Sequence, residues 1–128
     1  MKKKKYVFIG DVDSINLEII NKCHNKLKND IRYIIFGNFK EIDKYLKKIK
    51  SKIEIHKIYD PINFSNYKKS KLNLYDIANV SRSKHLNLIN QISIVNYLSN
   101  NTGIDLITMP INKSLFKKKN EIYRNDRI

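Results

Sequence analysis

Short apolar segments alternate with longer amphipathic segments along this chain. Residues 6–9 and 31–36 are continuous apolar or aromatic runs, typical of strands that are buried on both faces of a sheet. Residues 17–28 and 39–50 carry apolar side chains at helical spacing, and residues 53–58 alternate as in a strand near a sheet edge. The first half of the chain is therefore predicted to be strand-helix-strand-helix-strand, the order typical of a parallel sheet.

The second half gives a weaker pattern before it becomes regular again. A short strand is predicted somewhere within residues 72–80, after a turn and a polar loop. Residues 83–101 show one apolar helical face, and Gly103 follows where a left-handed helix cap is expected. Residues 106–109 are predicted to form the next strand.

Length and composition fit one globular domain. With 128 residues and 41% hydrophobic residues, the chain is predicted to be a single α/β domain over 1–128, an open, mostly parallel sheet flanked by helices, with a basic tail at 1–5. No apolar run is long enough to span a membrane, and the run after the basic tail is too short for a signal peptide. We therefore expect a cytoplasmic protein without a membrane partner.

The net charge of +14 raises the question of nucleic-acid binding. A simpler cause is base composition, because the 22 Lys, 22 Ile and 17 Asn all have codons made of A and U. The lysines are spread over every segment, and only 4 Arg are present to bind phosphates bidentately. Specific nucleic-acid binding is not predicted. The charged face of the second helix is interpreted as a solvated surface.

Two loops at predicted strand ends carry candidate binding groups. The carboxyl ends of parallel strands are where ligands bind in open α/β sheets. A proline-led turn after the strand at 106–109 presents Asn112 and Lys113, and Lys113 could neutralise a substrate phosphate or be one more surface lysine. Asp11 follows the first strand, where it could contact a substrate or cap the next helix. Both alternatives remain open for each residue.

Several other kinds of site are not indicated. No glycine-rich nucleotide-binding motif is present. His24, His56 and His85 lack metal-ligand spacing, so we expect surface histidines and no metal ligands among them. The single Cys23 excludes an internal disulfide and is predicted to be a small core residue of the first helix.

Three motifs, in order, resemble the amino-terminal part of the 4-hydroxythreonine-4-phosphate dehydrogenase family. Residues 8–20 begin Phe-Ile-Gly-Asp and resemble the family's opening Gly-Asp-Pro-Ala-Gly-Ile-Gly-Pro-Glu-Ile. Residues 36–40, Phe-Gly-Asn-Phe-Lys, resemble its second strand and helix start. Residues 105–113, Asp-Leu-Ile-Thr-Met-Pro-Ile-Asn-Lys, are similar to Asp-Ala-Ile-Val-Thr-Ala-Pro-Ile-Asn-Lys and give the most specific match.

The resemblance implies a fold similar to the first domain of isocitrate and isopropylmalate dehydrogenases. It implies an NAD-dependent enzyme that oxidises 4-phosphooxy-L-threonine in pyridoxine phosphate biosynthesis, uses a divalent metal and forms a homodimer. Asp11, Asn112 and Lys113 would then bind the phosphorylated substrate.

The departures from the family pattern are equally specific. Val12, Ser14, Asn16 and Leu17 stand where the family has prolines and glycines, and the family's Gly-His-Thr-Glu motif falls on Asn-Asp-Arg-Ile at 125–128. The family's metal-binding histidines and nicotinamide-binding region lie beyond this sequence. We therefore expect a domain that is incomplete relative to the family, with no catalytic residue, no bound NAD or metal and no activity alone. The alternative is a non-enzymatic basic α/β binding module or a degraded remnant.

Overall fold

The computed structural model describes residues 3–109. This part of the chain contains five strands and three helices. They are β1 (Lys3–Phe8), α1 (Asn16–Asp30), β2 (Ile31–Gly37), α2 (Phe39–Lys48), β3 (Ile55–Lys57), β4 (Leu72–Asp76), α3 (Lys84–Thr102) and β5 (Asp105–Thr108). Each of the first four strands is followed by a helix except β3, which is followed by a loop and then β4. The predicted α/β class is confirmed.

All four strand pairings are parallel, and the strand order is β3-β4-β2-β1-β5. The earliest strand therefore lies inside the sheet. Tyr6 of β1 is opposite Ile34 of β2 on one side and Leu106 of β5 on the other. Both faces of β1 and β2 are covered, which explains why these two strands are continuous apolar runs. The alternating strand β3 lies at the edge beyond β4, as predicted.

Each face of the sheet has its own hydrophobic core. Tyr6 and Phe8 point to the side covered by α3, whereas Val7 packs with side chains of α1 and α2 on the other side. Alternate residues of a strand point to opposite faces, so one strand contributes to both cores. Helix α3 ends at Thr102 and is capped by Gly103, whose φ of 76° gives the predicted left-handed cap. The Gly103 N–H donates to the Ser99 carbonyl.

Helix α1 is rotated from the orientation that its apolar residues predict. Cys23 is exposed rather than part of the core, and Ile19 is 40% exposed. The adjacent His24 is buried instead, with its Nδ1 2.6 Å from the Tyr33 hydroxyl on β2. The helix therefore buries the stripe of Leu17, Ile20 and His24. Tyr33 satisfies the Nδ1 of this buried imidazole, whereas its Nε2 is buried without a partner among the described residues.

Within residues 3–109, none of the helices combines the length and the apolar character that a membrane crossing requires.

Candidate functional site

The loops that follow β1 and β4, together with one side of α2, enclose a cleft of about 790 Å³ at the carboxyl edge of the sheet. Helix α2 packs on one face of the sheet and α3 on the other, so the crossovers leave β2 and its neighbour β4 towards opposite faces. Such a divergence opens a crevice at the strand ends, which is where ligands bind in this class of fold. The cleft is lined by Gly10, Asp11, Val12, Asp13, Glu41, Lys44, Tyr45, Lys48, Asn79, Ser81, Arg82, Lys84, Asn87, Leu88 and Gln91.

The β1–α1 loop places Asp11 in this cleft, at the strand end where the sequence predicts it. Its Oδ1 accepts a hydrogen bond from the Asp13 N–H at 3.1 Å, and its carbonyl accepts one from the Ser14 hydroxyl at 2.6 Å. Asn16 also stabilises the loop, because its Nδ2 donates to the Ile9 carbonyl at 2.9 Å. Asp11 therefore shapes its own loop. The N-cap position before α1 is Ile15, and no side chain caps the helix there, so the capping role predicted as an alternative for Asp11 is not observed.

Lys84, the first residue of α3, is the cation that meets this loop. Its Nζ lies 3.5 Å from Asp11 Oδ1 and 3.3 Å from Asp13 Oδ2. Partial burial acts to lower the pKa of Lys84, but the two carboxylates outweigh it and raise that pKa above its ordinary value. The ammonium therefore stays charged and joins the two sides of the cleft. The sequence does not predict this pairing, because Lys84 is one of 22 lysines and lies far from Asp11 along the chain.

The β4–α3 loop is held by a buried amide. Asn87 Oδ1 accepts hydrogen bonds from the Val80 and Ser81 N–H groups at 2.8 and 3.1 Å, and its Nδ2 donates to the Ser81 carbonyl at 2.8 Å. Ser83 then caps α3, because its hydroxyl accepts from the Leu86 N–H. This wall of the cleft is consequently fixed by side chains of α3 itself.

Helix α2 forms the wall on the other side. Glu41, Lys44, Tyr45 and Lys48 line the cleft, so part of the charged face interpreted as a solvated surface is a cleft wall. Glu41 Oε2 accepts a hydrogen bond from Asn79 Nδ2 at 2.9 Å and thereby links α2 to the β4–α3 loop. The sequence could not reveal this contact, since it depends on how the crossovers diverge.

The other two predicted site residues, Asn112 and Lys113, lie outside the described residues. The strand that precedes them runs parallel to β1, with Thr108 opposite Phe8, and the Met109 N–H donates to the Phe8 carbonyl at 3.0 Å. The carboxyl end of β5 is therefore at the same edge of the sheet as Asp11.

Two of the three histidines are not surface residues. His24 and His85 are buried, 4% and 7% exposed, so the prediction of surface histidines is wrong for both. Only His56 is partly accessible, and its Nε2 lies 2.6 Å from the Asn66 carbonyl oxygen. Over residues 3–109, no group of three or more His, Cys, Asp or Glu residues has an arrangement that could hold a metal ion.

Comparison with known proteins relates the fold to one kind of enzyme. No protein-family model and no curated protein sequence matches the chain. Among solved structures, it is similar to a 4-hydroxythreonine-4-phosphate dehydrogenase from Burkholderia phymatum, with a TM-score of 0.75 and 15% identity over 91% of this chain and 39% of that one. A second, from Klebsiella pneumoniae, gives a TM-score of 0.73 and 17% identity over 92% of this chain and 40% of that one.

These matches confirm the resemblance at the level of the fold. The α/β sheet described above is the fold of the corresponding part of these dehydrogenases, and the chain spans about 40% of the length of the proteins it matches.

Proposed function

We propose that this chain supplies the substrate-binding α/β part of a dehydrogenase related in function to 4-hydroxythreonine-4-phosphate dehydrogenase. The fold similarity supports the kind of enzyme, and the cleft supports the location of the site. In this proposal the substrate is 4-phosphooxy-L-threonine, an intermediate of pyridoxine phosphate biosynthesis, and the working enzyme is a cytoplasmic homodimer.

The observation that carries the proposal is the position of Asp11. It belongs to the Phe-Ile-Gly-Asp motif on which the resemblance rests, and it lies in the cleft at the carboxyl end of β1. Lys84 Nζ lies 3.5 Å from Asp11 Oδ1 and helps to orient this carboxylate. A carboxylate fixed in this way can accept hydrogen bonds from hydroxyl or ammonium groups of a substrate.

Asn112 and Lys113 complete the proposed substrate side. They follow β5 in the sequence, and β5 adjoins β1, so the proposal places them near Asp11. An amide can orient a hydroxyl group, and an ammonium can neutralise a phosphate. No catalytic residue is assigned to this chain.

The cofactors of such an enzyme do not fit the residues that the structure describes. A dehydrogenase of this kind uses NAD as hydride acceptor and a divalent metal as Lewis acid. Residues 3–109 contain neither a metal-ligand group nor a glycine-rich nucleotide loop. We therefore assign neither cofactor to these residues and derive no chemical step through them.

The proposal is tested by substrate binding and turnover with the full chain 1–128. Calorimetric titration with 4-phosphooxy-L-threonine should show binding that Asp11→Asn and Lys113→Gln each weaken. The matched control is Lys47→Gln, which removes a lysine outside the cleft that pairs with Asp43.

Turnover is measured as NADH formed from NAD in the presence of Mg²⁺, Mn²⁺ or Zn²⁺, and none is expected from this chain alone. NADH production by the purified chain would show that this chain itself uses NAD and the metal, and it would overturn our decision to assign neither cofactor to residues 3–109. Absence of substrate binding, together with salt-sensitive binding to RNA, would favour the basic binding module instead.

A further inference from the structure

The charges of the described residues are divided unevenly between the two edges of the sheet. All strands are parallel, so they begin at one edge and end at the other, where the cleft lies. The segments that lead into the strands carry ten Lys or Arg and three Asp or Glu residues, and we call them the basic edge: 3–5, 28–32, 50–54, 68–71 and 103–105. The segments that follow β1 to β4 carry three and four, respectively: 9–16, 38–41, 58–62 and 77–84. The fold therefore gathers at one edge lysines that the sequence spreads along the chain.

Few cations of the basic edge are neutralised. Lys71 pairs with Glu54 at 2.8 Å, and Lys5 pairs with Asp105 at 2.8 Å. Asp30 is the third carboxylate of these segments. Within residues 3–109, five exposed lysines of the basic edge make no ion pair with an acidic side chain: Lys3, Lys50, Lys52, Lys68 and Lys69. Their charge is available to an anionic partner.

Aromatic rings hold two further cations in the middle of the basic edge. Lys4 of β1 lies opposite Arg32 of β2 in the sheet. Lys4 Nζ is 5.1 Å from the centre of the Phe64 ring, and Arg32 Cζ is 5.7 Å from the centre of the Tyr67 ring. Such a contact orients a cation without cancelling its charge. The β3–β4 loop, which carries both rings, therefore supports the basic edge from one face of the sheet.

The length of the basic edge indicates an extended partner. Its cations lie at the beginnings of β3, β4, β2 and β1, which are neighbours in that order. Three spacings between strands give a row of about 14 Å. A single small anion would touch only part of such a row, whereas a chain of phosphates can meet most of it and release the counterions that it carries.

The absence of apolar anchors favours a nucleic acid over a membrane or another protein. Membrane-surface and protein interfaces normally combine charge with exposed apolar or aromatic side chains. Among the described residues, all large hydrophobic side chains that are exposed lie outside the five segments of the basic edge: Ile15, Ile19, Tyr59, Ile62, Val80, Leu86, Tyr97 and Ile107. Nine of the ten cations are lysines, which contact phosphates as point charges and do not read bases bidentately.

We propose that the basic edge binds the phosphate backbone of a nucleic acid, independently of base sequence. This inference goes beyond the proposed function, because the cleft lies at the opposite edge of the sheet and takes a small molecule. It also agrees with the lack of any sequence pattern for specific nucleic-acid binding. The binding surface arises from the direction of the strands and not from a motif.

The test uses the full chain 1–128 and fluorescence anisotropy with labelled oligouridylate and oligocytidylate of about 16 nucleotides. We expect equal affinity for the two sequences and a linear fall of log K with log salt concentration. The triple variant Lys3→Gln, Lys52→Gln, Lys69→Gln should weaken binding about tenfold or more at about 50 mM salt. It should also reduce the salt slope by about 2, since each lost contact with a single strand contributes about 0.7.

A second triple variant is the matched control. Lys40→Gln, Lys44→Gln, Arg82→Gln removes the same charge from exposed positions of α2 and the β4–α3 loop. It should weaken binding by less than about twofold, because salt screens charges that do not touch the oligonucleotide. Equal weakening by the two triple variants would show that net charge alone governs binding and would overturn the inference.

Glu54→Gln tests the same surface through a gain of binding, which a poorly folded variant would not show. It removes the carboxylate that neutralises Lys71, so oligouridylate should bind about twofold more tightly or better. Glu18→Gln, in the first turn of α1, is the control and should leave the affinity unchanged. An unchanged affinity for Glu54→Gln, or an equal gain for Glu18→Gln, would contradict the proposed surface.

Phosphatidylserine vesicles and polyglutamate serve as the other anionic probes. Binding to either of them without binding to the oligonucleotides would show a membrane or an acidic protein as the partner and overturn the inference. The triple variant of the basic edge should retain whatever affinity the wild type has for 4-phosphooxy-L-threonine. Loss of that affinity would show that the two edges form one site and would also overturn the inference, whereas failure of the wild type to bind this compound would overturn only the proposed function.

Discussion

Lys84 Nζ lies 3.5 Å from Asp11 Oδ1, so the first residue of α3 holds the loop that follows β1. The contact joins the β1–α1 loop to the start of α3, and both line the cleft. It is partly exposed, with 52% of the Lys84 side chain accessible, so solvent screens it. Its main effect is therefore expected on the order of the loop.

Replacement of Lys84 by Met tests whether this ion pair acts on the order of the loop more than on the stability of the fold. We expect the free energy of unfolding to fall by no more than about 1 kcal/mol, as for other exposed ion pairs. The Asp13 and Ser14 amides, which donate to Asp11, should exchange faster because Asp11 and Asp13 then repel each other unscreened. Hydrogen exchange followed by NMR measures this. Lys47→Met, which breaks the exposed pair with Asp43, should leave both amides unchanged.

Removal of the Asn87 side chain should have a larger effect on stability. Asn87→Ala leaves the Val80 and Ser81 N–H groups without their acceptor, and we expect a loss of about 2 kcal/mol in urea unfolding. The exposed Asn96 on the same helix is the control, and Asn96→Ala should change stability by less than about 0.5 kcal/mol. Equal losses in the two variants would show that the Asn87 hydrogen bonds do not hold the loop.

Gly37 and Ile42 provide a test of packing between β2 and α2. A Cβ at position 37 would lie 2.8 Å from Ile42 Cδ1, so Gly37→Ala is expected to cost about 1 kcal/mol or more. Ile42→Val removes that methyl group. In the Ile42→Val background Gly37→Ala should therefore be neutral or slightly stabilising, since alanine restricts the unfolded chain. A double-mutant cycle by urea unfolding measures the coupling, and strictly additive effects would contradict this contact.

His24 should make the stability of the chain sensitive to acid. Burial, and secondarily the charge of Lys28, lower the pKa of His24 below its ordinary value. Above pH of about 6.5, histidine is neutral in both the folded and the unfolded chain. As the pH falls through that value, the unfolded chain binds a proton that the folded chain resists, so stability declines until the pH passes the lowered pKa of the folded state.

The measurement is urea unfolding of the wild type and His24→Gln between about pH 7.5 and pH 5. The wild type should lose more stability across this range than the variant. His56→Gln, which changes a histidine outside α1, should keep the acid sensitivity of the wild type. A stability difference between wild type and His24→Gln that does not vary with pH would contradict the argument.

The order of elements could be predicted because apolar residues follow a different spacing in the buried strands than in the amphipathic helices. Strand β4 was harder to locate. It contains the buried polar residue Asn73. The side-chain amide of Asn73 accepts a hydrogen bond from the Lys68 N–H and donates one to the Lys68 carbonyl. Hydropathy does not distinguish such an internal bridge from a surface loop. The rotation of α1 had a similar cause, since the partner of His24 is a tyrosine on another element.

The candidate site was predicted only where it follows from strand ends. Asp11 could be identified because it comes directly after an apolar strand. Lys84, Asn87 and Gln91 could not, since their roles depend on which side of the sheet α3 packs. The same holds for Lys44 and Lys48, whose helix shows an ordinary charged face until the neighbouring loop is in place.

The position of β1 between β2 and β5 also has a kinetic consequence. During synthesis β1 can pair with β2 once residue 37 is available, but its other neighbour is completed only at residue 108. At about 5–20 residues per second, a ribosome needs roughly 4–14 s for that interval. Tyr6 and Phe8 lack the cover of α3 for much of the same time. The speed of translation, and not only the final contacts, therefore determines how long a nascent chain offers these aromatic side chains to chaperones.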